Sequence, residues 1–109
     1  MTGVVVDTLA QVKVELLFWR GCPSYPEAQR LLEELLVGRD AEVELREVHT
    51  DEEAVALRFP GSPTIRVDGR DIDPVGAESQ PSLSCRIYHL PDGRMSPLPD
   101  RQQLVEALA

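Results

Sequence analysis

Cysteine is scarce: Cys22 and Cys85 are the only two in a chain of 109 residues. Two are too few for a disulfide scaffold or a four-cysteine zinc site, and they do not form a C-x-x-C pair. Basic residues are in the minority, 11 Lys and Arg against 19 Asp and Glu, for a net charge of -8. That balance argues against non-specific binding to nucleic acid or an anionic membrane, which needs a basic face. There is no phosphate-binding glycine loop, no Ser/His/Asp pattern and no basic-aromatic surface. The histidines, His49 and His89, do not make a metal site by spacing, so none is expected. Long apolar runs are missing as well. Asp7, Gln11, Lys13 and Glu15 interrupt the N-terminal apolar residues, so neither a signal peptide nor a membrane span is expected. A cytoplasmic, reducing location follows as the default.

What is present suits one folded domain: hydrophobic residues make up 42% of the chain. Residues 1–11, with Val4-Val5-Val6, read as an arm or a short edge strand, and 12–109 as the domain. Val12 to Phe18 alternates and then turns apolar on both faces, as a central strand does. Ala28, Leu31, Leu32, Leu35 and Leu36 form an apolar stripe on a helix from roughly Glu27 to Val37, stopped by Gly38. Glu42 to Val48 reads as an edge strand with Val43 and Leu45 on one face. Thr50…Glu53 is a capping box for a helix to about Arg58, with Phe59 packing its end and Pro60-Gly61 stopping it. Thr64 to Val67 is a short strand, and Asp68-Gly69 a tight turn. Arg70 to Ser84 reads as a long loop. Ser84 to Leu90 alternates again, with Cys85, Ile87 and His89 on one face and Arg86, Tyr88 and Leu90 on the other. Asp100…Gln103 caps a last helix that buries Leu104, Val105 and Leu108.

The chemistry concentrates where the first strand meets the first helix. Cys22 sits at that joint, where a helix N-terminus favours a thiolate, and Arg20 is two residues away. The helix start has two readings. With Cys22 as N-cap, Pro23 takes the first helical position, where proline is welcome, and the thiol faces free N–H groups. With Ser24 as N-cap, Ser24…Glu27 makes a capping box and Cys22 lies just outside the helix.

Cys22-Pro23-Ser24-Tyr25 is similar to the C-P-x-C site of glutaredoxins with Tyr25 in place of the second cysteine. Gly61-Ser62-Pro63-Thr64 resembles the cis-proline loop of the thioredoxin-like superfamily. The resemblance spans roughly Val12 to Leu108. It implies a thioredoxin-like α/β three-layer sandwich: a four-stranded mixed sheet with helices on both faces, in the order β-α-β-α-β-β-α. It implies a cis bond between Ser62 and Pro63, Cys22 as the nucleophile, and a Ser62 backbone that pairs with an extended substrate as an added strand. Trp19, Arg20, Pro23, Tyr25, Ser62, Pro63 and Thr64 would line the substrate groove. The tryptophan that usually precedes the cysteine is displaced to Trp19. Tyr25 cannot resolve a mixed disulfide.

The function implied is a single-cysteine thiol–disulfide redox protein of monothiol type. Its partner would be a protein or small-molecule thiol or disulfide. No cofactor is implied, with glutathione a possible co-substrate; after Gly69 only Asp71 and Asp73 stand near where it would bind. Cys85 is a candidate resolving thiol. The implied topology puts it on the order of 10 Å or more from the active-site edge at ~3.3 Å per strand residue. A disulfide needs Cα atoms within about 7 Å. The sequence leaves open a non-catalytic module that docks an extended peptide or partner domain, and a soft-metal or organomercurial thiol site.

Overall fold

A computed structural model describes residues 12–108; the arm assigned to residues 1–11 lies outside them. The chain runs β1 (Val12–Phe18), α1 (Tyr25–Leu36), β2 (Ala41–Glu47), α2 (Asp51–Ala56), β3 (Thr64–Val67) and β4 (Arg70–Asp71). A single 3-10 turn (Gly76–Glu78), β5 (Tyr88–His89), β6 (Met95–Ser96) and α3 (Arg101–Leu108) follow. The main sheet has four strands in the order β2-β1-β3-β4. β1 is parallel to β2 and antiparallel to β3, and β3 is antiparallel to β4. The fold is therefore mixed α/β with helices on both faces of a mixed sheet.

The two-sided apolar pattern of β1 has a direct reading in this sheet. Val14 and Leu16 point to one face, where Ala28 and Leu32 of α1 and Leu104 and Leu108 of α3 close over them with Ile65 and Val67. Leu17 points to the other face, into a smaller cluster with Val48, Ala54 of α2 and Phe59. Only the later part of β1 is covered on both sides, so Leu16 and Leu17 are both buried there, while Lys13 and Glu15, on the Leu17 face, stay exposed or half-buried. β2 is the opposite case. It is an edge strand whose Val43 and Leu45 remain about half exposed.

Local signals account for most boundaries. Thr50 Oγ1 accepts from the Glu53 N–H at 3.1 Å, and Glu53 reaches back to the His49 N–H at 3.0 Å. α2 ends two residues before Arg58, because Arg58 takes a left-handed conformation at φ 52°. The Arg58 and Phe59 N–H groups then donate to the Val55 and Ala54 carbonyls, and Phe59 packs on Ala54. Asp68 and Gly69 both have positive φ, as a two-residue hairpin turn between β3 and β4 requires. Ser24 occupies the N-cap position of α1, but in a helical conformation and with no side-chain bond, so the Ser24…Glu27 box does not form. Cys22 is not the N-cap either. Val105 is 37% exposed, so α3 buries Leu104 and Leu108 without it.

The last sheet strand differs from the expectation. Arg70 and Asp71, read as loop, form β4 directly after the turn. Ser84 to Leu90 is not a strand of the main sheet. Ser62 and Cys85 make one parallel bridge, and Tyr88 and His89 pair with β6 in a separate hairpin. The alternation at 84–90 is nonetheless real, since Arg86 and Tyr88 are buried while Cys85, Ile87 and His89 are exposed. Period-two patterning reports which side chains are inside, not which strand lies alongside. No helix among the described residues is long and apolar enough to cross a membrane.

Leu16→Ala is expected to cost about 2–5 kcal/mol, since Leu16 is fully buried between β1 and both helices. Val43→Ala on the exposed edge is expected to cost no more than about 1 kcal/mol. Urea unfolding of the two variants checks the difference.

Candidate functional site

The turn between β1 and α1 is held shut by its own backbone. The Cys22 N–H donates to the Trp19 carbonyl at 3.1 Å. The Trp19 indole folds over Gly21, where any Cβ would lie within 2.2–2.6 Å of the ring. Trp19 also packs against the Leu17–Phe59 cluster. These contacts turn Cys22 inward, and the residue is fully buried.

Facing Cys22 is the loop before β3. The Ser62–Pro63 peptide bond is cis. Ser62 Oγ accepts from the Trp19 N–H at 3.0 Å, joining this loop to the cysteine turn. The Ser62 carbonyl oxygen lies 3.5 Å from Cys22 Sγ. Gly61 has φ 132°, and a Cβ there would meet the Arg86 backbone at 3.0–3.1 Å, so both conformation and close approach call for glycine.

The third wall is the segment Ser84–Arg86. The Ser62 N–H donates to the Ser84 carbonyl at 2.7 Å, and the Arg86 N–H donates to the Ser62 carbonyl at 2.9 Å. Cys85 lies between them and is disulfide-bonded to Cys22, with Cα atoms 5.4 Å apart and 63 residues of separation. The expected distance on the order of 10 Å is therefore wrong. It assumed that the segment was the last strand of the main sheet, whereas it is an extended segment joined to Ser62 by a single parallel bridge.

A buried polar cluster fixes this segment in place. The Arg86 side chain is 2% exposed and makes a fork-on-fork pair with Asp71, at 2.7 Å from Nη1 and 2.6 Å from Nη2. Nη1 also donates to Thr64 Oγ1 at 3.2 Å, and Nη2 to the Asp73 carbonyl at 3.1 Å. Nε has no partner. The guanidinium carbon sits 4.3 Å from the centre of the Tyr88 ring. Burial acts to lower the Arg86 pKa, but the Asp71 hydrogen bond and the charges of its neighbours, Asp71 and Asp73 among them, together hold it above its usual value, so the group remains cationic. Burial pushes the Tyr88 phenol well up, and its hydroxyl donates to the Pro63 carbonyl. Asp73 accepts from the His89 N–H at 3.0 Å and meets the His89 ring at 3.1 Å. Burial acts to raise the Asp73 carboxyl, but the His89 and Gly76 hydrogen bonds and the Arg86 charge hold it below its usual value.

The residues assigned to a groove divide into two groups. Trp19 and Ser62 meet beside Cys22, but Ser62, Pro63 and Thr64 are buried. Thr64 Oγ1 donates to the Gly61 carbonyl at 2.6 Å. Pro23 is exposed at the rim. Arg20 pairs its Nε with Glu47 at 2.9 Å. Tyr25 stacks on Phe18 with ring centres 4.4 Å apart. Asp71 and Asp73, considered as glutathione contacts, instead turn inward onto Arg86 and His89. The sequence reading did not identify Arg86, Tyr88 and this acidic pair as a unit. The available signal was an arginine sharing the buried face of an alternating segment with a tyrosine, since a buried arginine requires an acid partner.

No protein-family model, no curated protein and no solved structure matches the chain.

Asp71→Asn is expected to cost about 3–5 kcal/mol, because it strips the counter-charge from a buried guanidinium. Asp71→Leu combined with Arg86→Met removes both charges and should cost far less; chemical denaturation of both variants checks this.

Asp73 supplies a pH dependence. A carboxyl whose folded pKa is depressed contributes stability that is present above its unfolded value of 3.8. That contribution is lost as pH falls through the folded value. Asp73→Asn should therefore be less stable than the wild type at neutral pH. The gap should close as urea midpoints are followed down to about pH 2.

Proposed function

We propose that the chain is a thioredoxin-like thiol–disulfide redox protein built on Cys22 beside the Ser62–Pro63 loop. The observation that carries this reading is the meeting of three features in one place. A cysteine precedes the first helix, a cis-proline loop presents its backbone to the sulfur, and a second sulfur 63 residues away is bonded to the first. The strand order β2-β1-β3-β4, with a parallel and then two antiparallel pairings, supports the same fold reading. In this proposal Cys85 is the partner thiol that Tyr25 cannot be. The protein cycles between a Cys22–Cys85 disulfide and a dithiol, exchanging with protein or small-molecule thiols and disulfides. In a cytoplasmic setting the resting form is the dithiol.

A second reading is a binding module in which the disulfide is only a staple, and the complete burial of Cys22 favours it. Closing a loop of this span would stabilise the fold by about 4 kcal/mol on the chain-entropy model.

The two readings part under native reduction. The oxidised protein, placed in glutathione redox buffers without denaturant and acid-quenched, is expected to interconvert between disulfide and dithiol within minutes. Cys22→Ser should abolish the interconversion. A disulfide that resists native buffer and opens only on unfolding would sink the redox reading and leave the stapled module.

A further inference from the structure

The two sulfurs are not equivalent. Cys22 is fully buried, closed in by the Trp19 turn and the Ser62–Pro63 loop, while Cys85 is exposed. Cys85 also lines a shallow hollow of about 360 Å³, together with Pro60, Gln80, Ser82, Ile87 and Met95. Both backbone groups of Ser62 are already bonded to Ser84 and Arg86. The chain's own segment thus fills the edge that an extended substrate would need to reach Cys22. Tyr88, bonded to the Pro63 carbonyl, and Arg86, bonded to Thr64, hold the segment there.

We infer that the sulfur exchanging with outside thiols is Cys85, and that Cys22 is the internal thiol that leaves and returns. This rests on the redox reading above and reverses the roles expected from the sequence. Thiol–disulfide exchange depends on which sulfur an attacking thiolate can reach. A thiolate of a small peptide entering the hollow forms a bond to Cys85 Sγ. The Cys85–Cys22 bond breaks, and its electron pair leaves on Cys22 Sγ, which takes a proton from solvent. A second peptide thiolate then attacks the peptide sulfur of the mixed disulfide and releases Cys85 as a thiolate. Two thiols are oxidised to one disulfide, and the protein disulfide is reduced to two thiols. In the opposite direction, Cys85 attacks a disulfide first and Cys22 closes the ring.

Reduced glutathione is the probe. The oxidised full-length protein is mixed with it under native conditions, quenched at early times with an alkylating agent, and mapped by peptide mass. The expected intermediate carries glutathione on Cys85 and the alkyl group on Cys22, in roughly tenfold or greater excess over the reverse pattern. Cys22→Ser should likewise take up glutathione from its oxidised form roughly tenfold faster than Cys85→Ser, with the difference vanishing in denaturant. Glutathione found on Cys22, or equally on both, would overturn the assignment while leaving the redox reading standing. No opening of the disulfide before unfolding would overturn the redox reading itself.

Discussion

The arrangement around the two cysteines depends on one buried ion pair. Arg86 cannot be taken out of water alone, since an unpaired guanidinium inside a protein costs several kcal/mol at about the least. Asp71 meets it as a bidentate partner, and Thr64 and the Asp73 carbonyl occupy two more of its donors. Arg86 stands next to Cys85 in sequence. Docking the arginine on β4 therefore sets the segment along Ser62 and delivers Cys85 to Cys22. A well-packed apolar pair would serve stability as well or better. What the ion pair contributes is position, because its fork geometry accepts one alignment of the segment and rejects neighbouring ones.

This anchoring also explains why so small a domain can carry a long, weakly structured stretch between β4 and α3. Residues 72–100 hold only a 3-10 turn and two two-residue strands. Turns, short bridges and the β5–β6 pair satisfy part of their backbone, and inward-turned side chains add to these. Asp73 serves His89, Tyr88 serves the Pro63 carbonyl, and Gln103 reaches from α3 to the His89 carbonyl at 2.8 Å. The region is tied to the sheet by these buried polar contacts together with Ile72, Leu83 and Leu98, which pack against the two apolar clusters. The apolar clusters themselves are assembled mainly from β1, β3 and the helices.

The same geometry gives the proposed redox chemistry its asymmetry. A turn closed by Trp19, a loop closed by Ser62 and a segment pinned by Arg86 enclose one sulfur and leave the other at a surface hollow. The chain's own segment, bridged to Ser62, stands in for an added substrate strand. On this proposal the protein works as a carrier whose internal partner is bound in advance, and specificity falls to whatever enters beside Cys85.

Much of the framework was determined by local sequence. The periodicity of Val12–Phe18 and of the leucine stripe, the Thr50…Glu53 cap and the Asp68-Gly69 turn act over a few residues, where patterning and backbone preference dominate. The approach of the Ser62–Pro63 loop to Cys22 was legible only through motif resemblance. Tertiary structure alone decided the partner of the 84–90 segment, the inward turn of Asp71 and Asp73, and the distance between Cys22 and Cys85. Alternation at 84–90 states that Arg86 and Tyr88 are inside, but it holds no term for which strand runs alongside. That choice was made by a charge that must find its counter-charge 15 residues away, an energy that exists only once both groups leave water.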